Sequence, residues 1–437
     1  MSTTLIFLGL GIFIVIYFLI ITEKLPNTFS ALLGGFLMIA VHILGEEEAF
    51  EAIDWEVIFL LTGMMIIVHI TSETGLFQWI AIKLAQAVKG EPFPIMTLLV
   101  LVTAFFSAFL DNVTTVLLIA PVSILLAEQL NINPIPFLIS EALASNIGGT
   151  ATLIGDPPNI LIGLAADLSF NEFLVHLAPL ALLNLLVFVP TLWVLFGKTL
   201  HVSRDLKAKI MDLEADRALK DIPTLKKSLA VLGLVIVGFL IHEWTGVGPA
   251  TLAFSGAIIL AIITQKTPEE IFRPVEWRTL FFFMGLFIMV AGIVKIGAIK
   301  ILANGTLSLT KGDLQLTSLF VLWLSAIVSA VVDNIPYTAT LIPLIGGQGG
   351  LIERIHHLHP EIGLQAIRYA LWWALSLGAC LGGNGTLVGA SANVVVANIA
   401  SKSGNPISFM AFTKFGILIM FESLLLSSAY LWLRYLR

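Results

Sequence analysis

The chain has 437 residues, 58% of them hydrophobic and 12% charged, with a formal net charge of -6. Soluble domains carry about 25% charged residues, so this deficit excludes a water-exposed surface all round, and the mild negative charge offers nothing to nucleic acid. The single cysteine, Cys380, excludes a disulfide framework and any multi-cysteine metal site.

Leu5–Ile21 is free of charge and close to the roughly 20 residues that span a bilayer. It lacks a basic leader and a small-residue cleavage site, so it reads as a retained helix rather than a signal peptide. Further spans are expected near 28–44 and 56–72, then a short amphipathic piece near 76–88. The apolar run 94–127 is interrupted by Asp111-Asn112 and reads as a re-entrant hairpin with that pair at its tip. A helix near 136–147 is broken by Gly148–Asn159 and resumes near 160–167, and a span near 173–196 closes the half. These continuous apolar runs must be helices, because the bilayer core cannot hydrogen-bond a bare backbone. A β-barrel would show alternation instead.

The remainder repeats this order. Trp55 and Trp277, Asp111-Asn112 and Asp333-Asn334, Gly34 and Gly256, and Glu47-Glu48 and Glu269-Glu270 all stand 222 residues apart. Thr152–Gly155 (TLIG) and Thr386–Gly389 (TLVG), with Asn159 and Asn393, stand 234 apart. The extra residues fall near Gln348–His359, read as a loop. The expected fold is therefore an all-α polytopic membrane protein of two inverted-topology repeats, each of five transmembrane helices plus a re-entrant hairpin and a broken helix. The first repeat covers 1–197, a linker 198–227, and the second, inverted repeat 228–437. The linker carries Arg204, Lys207, Lys209, Arg217, Lys220, Lys226 and Lys227, which places it in the cytoplasm. Five crossings on each side put both termini outside, a position that Arg434 and Arg437 oppose.

Asp111 and Asp333 are the first candidates for chemistry. A carboxylate at membrane depth costs about 2.5–3.5 kcal/mol on insertion scales and marks a functional position by default. Each also stands where a cap for the following helix is wanted, with Asn112 or Asn334 closing the turn. The two roles are compatible. The break Gly148–Asn159 has glycines that permit non-helical backbone and Pro157-Pro158 to restart a helix. It supplies Thr150, Thr152, Asp156 and Asn159, with Asn146 just before it. Its partner, 382–393, supplies Asn384, Thr386, Ser391 and Asn393, with Ala390 where the first half has Asp156. Unwound backbone at membrane depth lines a cavity or is buried in protein, and paired breaks point to a transporter site. Thr114, Thr115 and Thr338 follow the tips and join the candidate binding groups.

Asp111, Asp333, Asp156 and Glu141 are the candidate proton-coupling acids. Glu141 either relays protons or is paired within the bundle. No Arg or Lys lies inside either hairpin core or either break, which disfavours a multiply charged anion and suits a neutral hydroxyl-rich solute or a cation. Cys380 reads as a small apolar filler. His356, His357 and His359 read as a solvated loop rather than a metal cluster. Neither half pairs a nucleophile with a His base, so no enzyme is expected, and no cofactor.

SNIGGTATLIGDPPNILIG (145–163), with LDNVTTVLLIAP (110–121) before it, resembles the arsenite permeases of the ArsB type and the related P protein, a branch of the ion transporter superfamily. The resemblance covers the whole chain. It implies a multi-pass protein of the inner membrane that exports arsenite, and antimonite with it, driven by protons or by a soluble arsenite-stimulated ATPase subunit. It also admits a homodimer, for which no dedicated motif is seen. Arsenite is largely the neutral trihydroxide at neutral pH, so oxygen and nitrogen groups would bind it. The alternative within the same superfamily is a sodium or other cation/proton antiporter.

Overall fold

A computed structural model describes residues 3–22, 24–198 and 200–437. Among them every regular element is a helix. The first half runs α1 (Thr3–Thr22), α2 (Asn27–Ala40), α3 (Glu46–Glu51), α4 (Trp55–Glu73), α5 (Leu76–Ala87), α6 (Pro92–Ser107), α7 (Asn112–Gln129), α8 (Ile135–Gly149), α9 (Pro157–Ala166), α10 (Phe170–His176) and α11 (Ala178–Phe196). The connection holds α12 (Arg204–Met211) and a 3-10 turn (Ala215–Ala218). The second half runs α13 (Ile222–Thr245), α14 (Pro249–Ile263), α15 (Pro268–Phe272), α16 (Trp277–Lys295), α17 (Ala298–Thr310), α18 (Leu314–Ser329), α19 (Asn334–Gly346), α20 (Leu351–Leu358), α21 (Leu364–Gly382), α22 (Ser391–Lys402) and α23 (Phe409–Tyr435).

Among the described residues seven helices are long and apolar enough to cross a membrane, namely α1, α4, α7, α11, α13, α16 and α23. Large apolar side chains such as Phe29, Phe36, Leu186, Val194 and Leu234 are exposed on the outside of the bundle. Water would not tolerate so much exposed apolar surface, whereas lipid requires it. Length alone misleads at α7. It is the returning arm of a hairpin, since α6 and α7 both pack on the amphipathic α5. In the second half α18 and α19 both pack on α17, and α17 meets α18 at a bend of 117°.

At the centre the halves exchange partners: α2 packs on α16, and α4 on α14. Glycine makes both crossings close. A Cβ on Gly63 would lie 2.6 Å from the Ala253 carbonyl carbon, and one on Gly285 would lie 2.5 Å from that of Ala31. Small residues let membrane helices approach to backbone contact. Both glycines and both alanines are 222 apart.

Three local expectations are corrected. The second span ends at Ala40 rather than near 44, because His42 takes a left-handed backbone, φ 58°. The region 348–359 contains a helix, α20, and is not simply a loop; buried Leu351 and Ile355 fix it against α21. His356 and His357 ride on that helix, and His359 Nδ1 lies 3.0 Å from Glu361 Oε1. Lastly, 222–227 form the first turns of α13. Residues 207–213 of the linker are docked: Lys207 pairs with Glu91 at 2.7 Å and Gln86 Nε2 donates to Leu213 O.

One end of the bundle carries the linker, the Lys266–Glu73 ion pair and the start of α16. The end of α23 packs at the opposite end, where Tyr430 donates to His176 O and Arg434 to Val175 O.

Candidate functional site

Four helices begin at the centre of the bundle: α7, α9, α19 and α22. A helix start presents unpaired N–H groups and the positive end of the dipole, and an aspartate precedes three of the four. Asp111 Oδ1 accepts from Thr114 N at 2.8 Å, and Asp333 Oδ1 from Ile335 N at 3.0 Å. Both therefore cap their helices, as their sequence position allows. Asp333 Oδ2 also accepts from Ser391 Oγ at 2.7 Å. Asp111 pays in backbone geometry, with φ at +111°.

Asp156 behaves differently. Its helix starts with Pro157-Pro158, which have no N–H to give, and its side chain makes no cap bond. Instead it accepts from Asn112 Nδ2 at 3.2 Å and from Asn334 Nδ2 at 3.2 and 3.3 Å. One carboxyl from the first break thus receives the asparagines of both hairpin tips. Because a carboxylate oxygen only accepts, these bonds fix the orientation of both amides.

The broken helices are held by a matched set of ties. Ser107 donates to Ser145 O and Ser329 to Ala379 O, each at 2.6 Å. Thr152 donates to Ala108 O and Thr386 to Ala330 O. Asn159 Nδ2 donates to Thr152 O and Asn393 Nδ2 to Thr386 O, both at 2.9 Å. A Cβ on Gly148 would lie 2.1 Å from Ala104 O, and one on Gly382 2.5 Å from Ala326 Cα. Hairpin and break touch backbone to backbone there, which only glycine permits.

Across the halves, Asn146 accepts from Asn112 at 3.0 Å and donates to Asn384 Oδ1 at 2.9 Å and Asn393 Oδ1 at 3.1 Å. Asn159 Oδ1 accepts from Ser376 at 2.6 Å and from the Cys380 thiol at 3.5 Å. Cys380 is fully buried beside this polar cluster rather than in purely apolar surroundings.

The tips open into a cavity of about 250 Å³. Asp111, Asn112, Asp156, Asp333, Asn334 and Ser391 form its inner wall, and Asn27, Glu276 and Arg278 stand toward the start of α16. It therefore opens toward the end that carries the linker. A second cleft at the opposite end, about 950 Å³, is lined by Asp54, Glu56, Asp167, Glu172 and Glu243, and none of the tip aspartates lines it. Glu56 and Arg278 are 222 apart, so equivalent positions carry opposite charges at the two openings.

Of the candidate residues, the six of the inner wall meet at the cavity. Thr150 donates back to Asn146 O at the end of α8, Thr152 and Thr386 tie the breaks to the hairpin carbonyls of Ala108 and Ala330, and Asn159 and Asn393 hold the unwound main chain. Thr115 and Thr338 donate back to the carbonyls of Asp111 and Asn334. Thr114 meets Asp111 through its backbone, and Asn146 and Asn384 form the buried link between halves. Glu141 stands apart, fully buried between α7 and α8, with Ser123 donating to one oxygen and no partner on the other. Sequence reasoning missed Glu276 and Arg278. They lie far from either tip in sequence, and the only signal was the charge reversal inside the repeated Trp55/Trp277 segment.

Spanning helices around a polar cavity where two hairpin tips meet two broken helices define a membrane transporter. The chain belongs to the citrate transporter family (CitMHS), whose profile it matches over residues 17–360. It is 44% identical to an uncharacterised transporter of Mycobacterium bovis over 97% of both chains, and 45% identical to a 46 kDa membrane protein of Mycobacterium leprae over 98% of this chain and 99% of that one. It is 36% identical to the P protein of Sus scrofa across 95% of its own length and 58% of that protein's. The crystal structure of the YdaH transporter of Alcanivorax borkumensis shares the fold, with a TM-score of 0.50 at 16% identity over 93% of this chain and 88% of that one.

Proposed function

We propose that the protein is a secondary active transporter of the inner membrane that exports a small uncharged hydroxyl-bearing solute, arsenite and with it antimonite, in exchange for protons. The observation that carries this reading is the wall of the cavity: Asp111, Asp156, Asp333 and Glu276 face it against one cation, Arg278. A citrate ion, the substrate in the family's name, would bring up to three carboxylates to four acids. A neutral trihydroxide meets no such repulsion and is bound through hydrogen bonds to amides and carboxylates. Asp111, Asp333 and Asp156 exchange protons with the cavity in this reading, and Glu141 is a further proton-holding group away from it.

The two repeats lie inverted in the membrane, with the basic linker in the cytoplasm. The cavity then opens inward, which is the loading side for an exporter. The reading needs no ATPase subunit, because a proton gradient is the driving force.

The excess of acids favours a second reading, cation/proton antiport. Expression in a metalloid-sensitive strain and in a sodium-sensitive strain separates the two. Growth restored on arsenite supports the first reading; growth restored on sodium alone replaces it with the second.

A further inference from the structure

Asn112 and Asn334 reach the floor of the cavity from opposite halves, and their N–H groups are already engaged. Asn112 Nδ2 is held by Asn146 Oδ1 and Asp156, and Asn334 Nδ2 by both oxygens of Asp156. The Ser391 hydroxyl is held by Asp333. Among the described residues two buried side-chain atoms of this cavity lack a partner, and both are acceptors: Asn112 Oδ1 at the floor and Asn27 Oδ1 nearer the start of α16. Leaving such an atom unpaired costs about 1–3 kcal/mol, which a donor entering the cavity would recover.

We infer that Asn112 Oδ1 and Asp156 form one proton-or-cargo site, which takes a solute that needs lone pairs and carries no negative charge, and which a proton on Asp156 closes. This rests on the proposed exchange of solute for protons and names the group that enforces it. An ionised Asp156 holds both tip asparagines and offers its carboxylate, beside Asn112 Oδ1, to the hydroxyls of the cargo. A protonated Asp156 has turned an acceptor into a donor. The proton occupies a lone pair of the carboxylate that the cargo needs, while Asn146 Oδ1 still holds the Asn112 amide in place. Proton and cargo exclude each other, which is the condition for exchange.

The other groups facing Asp156 are Asp111 from the first hairpin, Asp333 from the second, the Cys380 thiol from α21, and Glu276 and Arg278 farther out in the same cavity. The tip aspartate recurs once in each half, as Asp111 and Asp333. Asp156 does not recur, since Ala390 takes its place, so the site is single rather than duplicated.

The test is equilibrium binding to the purified full chain in nanodiscs between pH 5.5 and 7.5, with sodium arsenite, sodium chloride and sodium citrate as separate probes. Affinity for arsenite is expected to fall on acidification, approaching tenfold per pH unit where a single proton competes. Asp156→Asn is expected to remove that slope and Asp156→Glu to keep it. Loss of the slope in one and retention in the other is not what a folding defect produces. An unchanged slope in Asp156→Asn, tighter arsenite binding on acidification, or uptake of citrate overturns the inference. Binding of sodium alone, with the Asp156-dependent slope, keeps the proton-or-cargo site and overturns only the choice of arsenite.

Discussion

Asp156 and Asn334, 178 residues apart, are joined by hydrogen bonds from the Asn334 amide to both carboxyl oxygens, at 3.2 and 3.3 Å. The acid lies at the break of one half and the amide at the hairpin tip of the other. Any movement of one half against the other must therefore break or carry this contact, and so it links the chemistry of the cavity to the conformation of the bundle.

The close contact of hairpin and break is steric. Gly148→Ala and Gly382→Ala are each expected to destabilise the protein by about 1–3 kcal/mol, as overpacking does. Gly233→Ala, where a Cβ meets nothing within 4 Å, is the control. Thermal unfolding in detergent reads the difference: the first two melt lower and the third stays at or above wild type.

Cys380 donates to Asn159 and is fully buried. If arsenite is held by oxygen and nitrogen groups, Cys380→Ala keeps arsenite transport, whereas a thiolate ligand would make that change abolish it. Uptake of arsenite by vesicles carrying the variant decides.

The docked linker has a pH dependence of defined sign. Hydrogen bonds from Trp79 Nε1, at 3.0 Å, and from Lys83 hold the Asp216 carboxyl below the ordinary carboxylate range. A depressed value means that the contact is complete above the unfolded value of about 3.9 and is lost as pH falls through the folded one. Asp216→Asn is expected to reproduce the acid state at neutral pH. Limited proteolysis near 212–220 checks it, with faster cleavage in the variant than in the wild type at pH 7.

Much of this arrangement was legible in the sequence. The 222 spacing located both tips, the 234 spacing located both breaks, and the proline pair marked the start of α9. The direction of each side chain was not legible. Thr152 and Asn159 have the composition of a binding site, yet in the structure they tie the unwound backbone, a need that only three dimensions reveal. The Asn146 link to Asn384 and Asn393 was equally hidden, because its counterpart 234 residues on is Cys380 and the repeat offers no matching pair. Helix α20 was readable after all, since Leu351, Ile355 and Leu358 recur at helical spacing, but the extra residues between the 222 and 234 spacings suggested a loop.

The most direct measurement is arsenite flux and proton flux recorded together in everted membrane vesicles. The account predicts that arsenite accumulates as protons leave, and that Asp111→Asn combined with Asp333→Asn abolishes both movements while the protein still inserts at the normal level. Undiminished, proton-coupled arsenite accumulation in that double variant would contradict it.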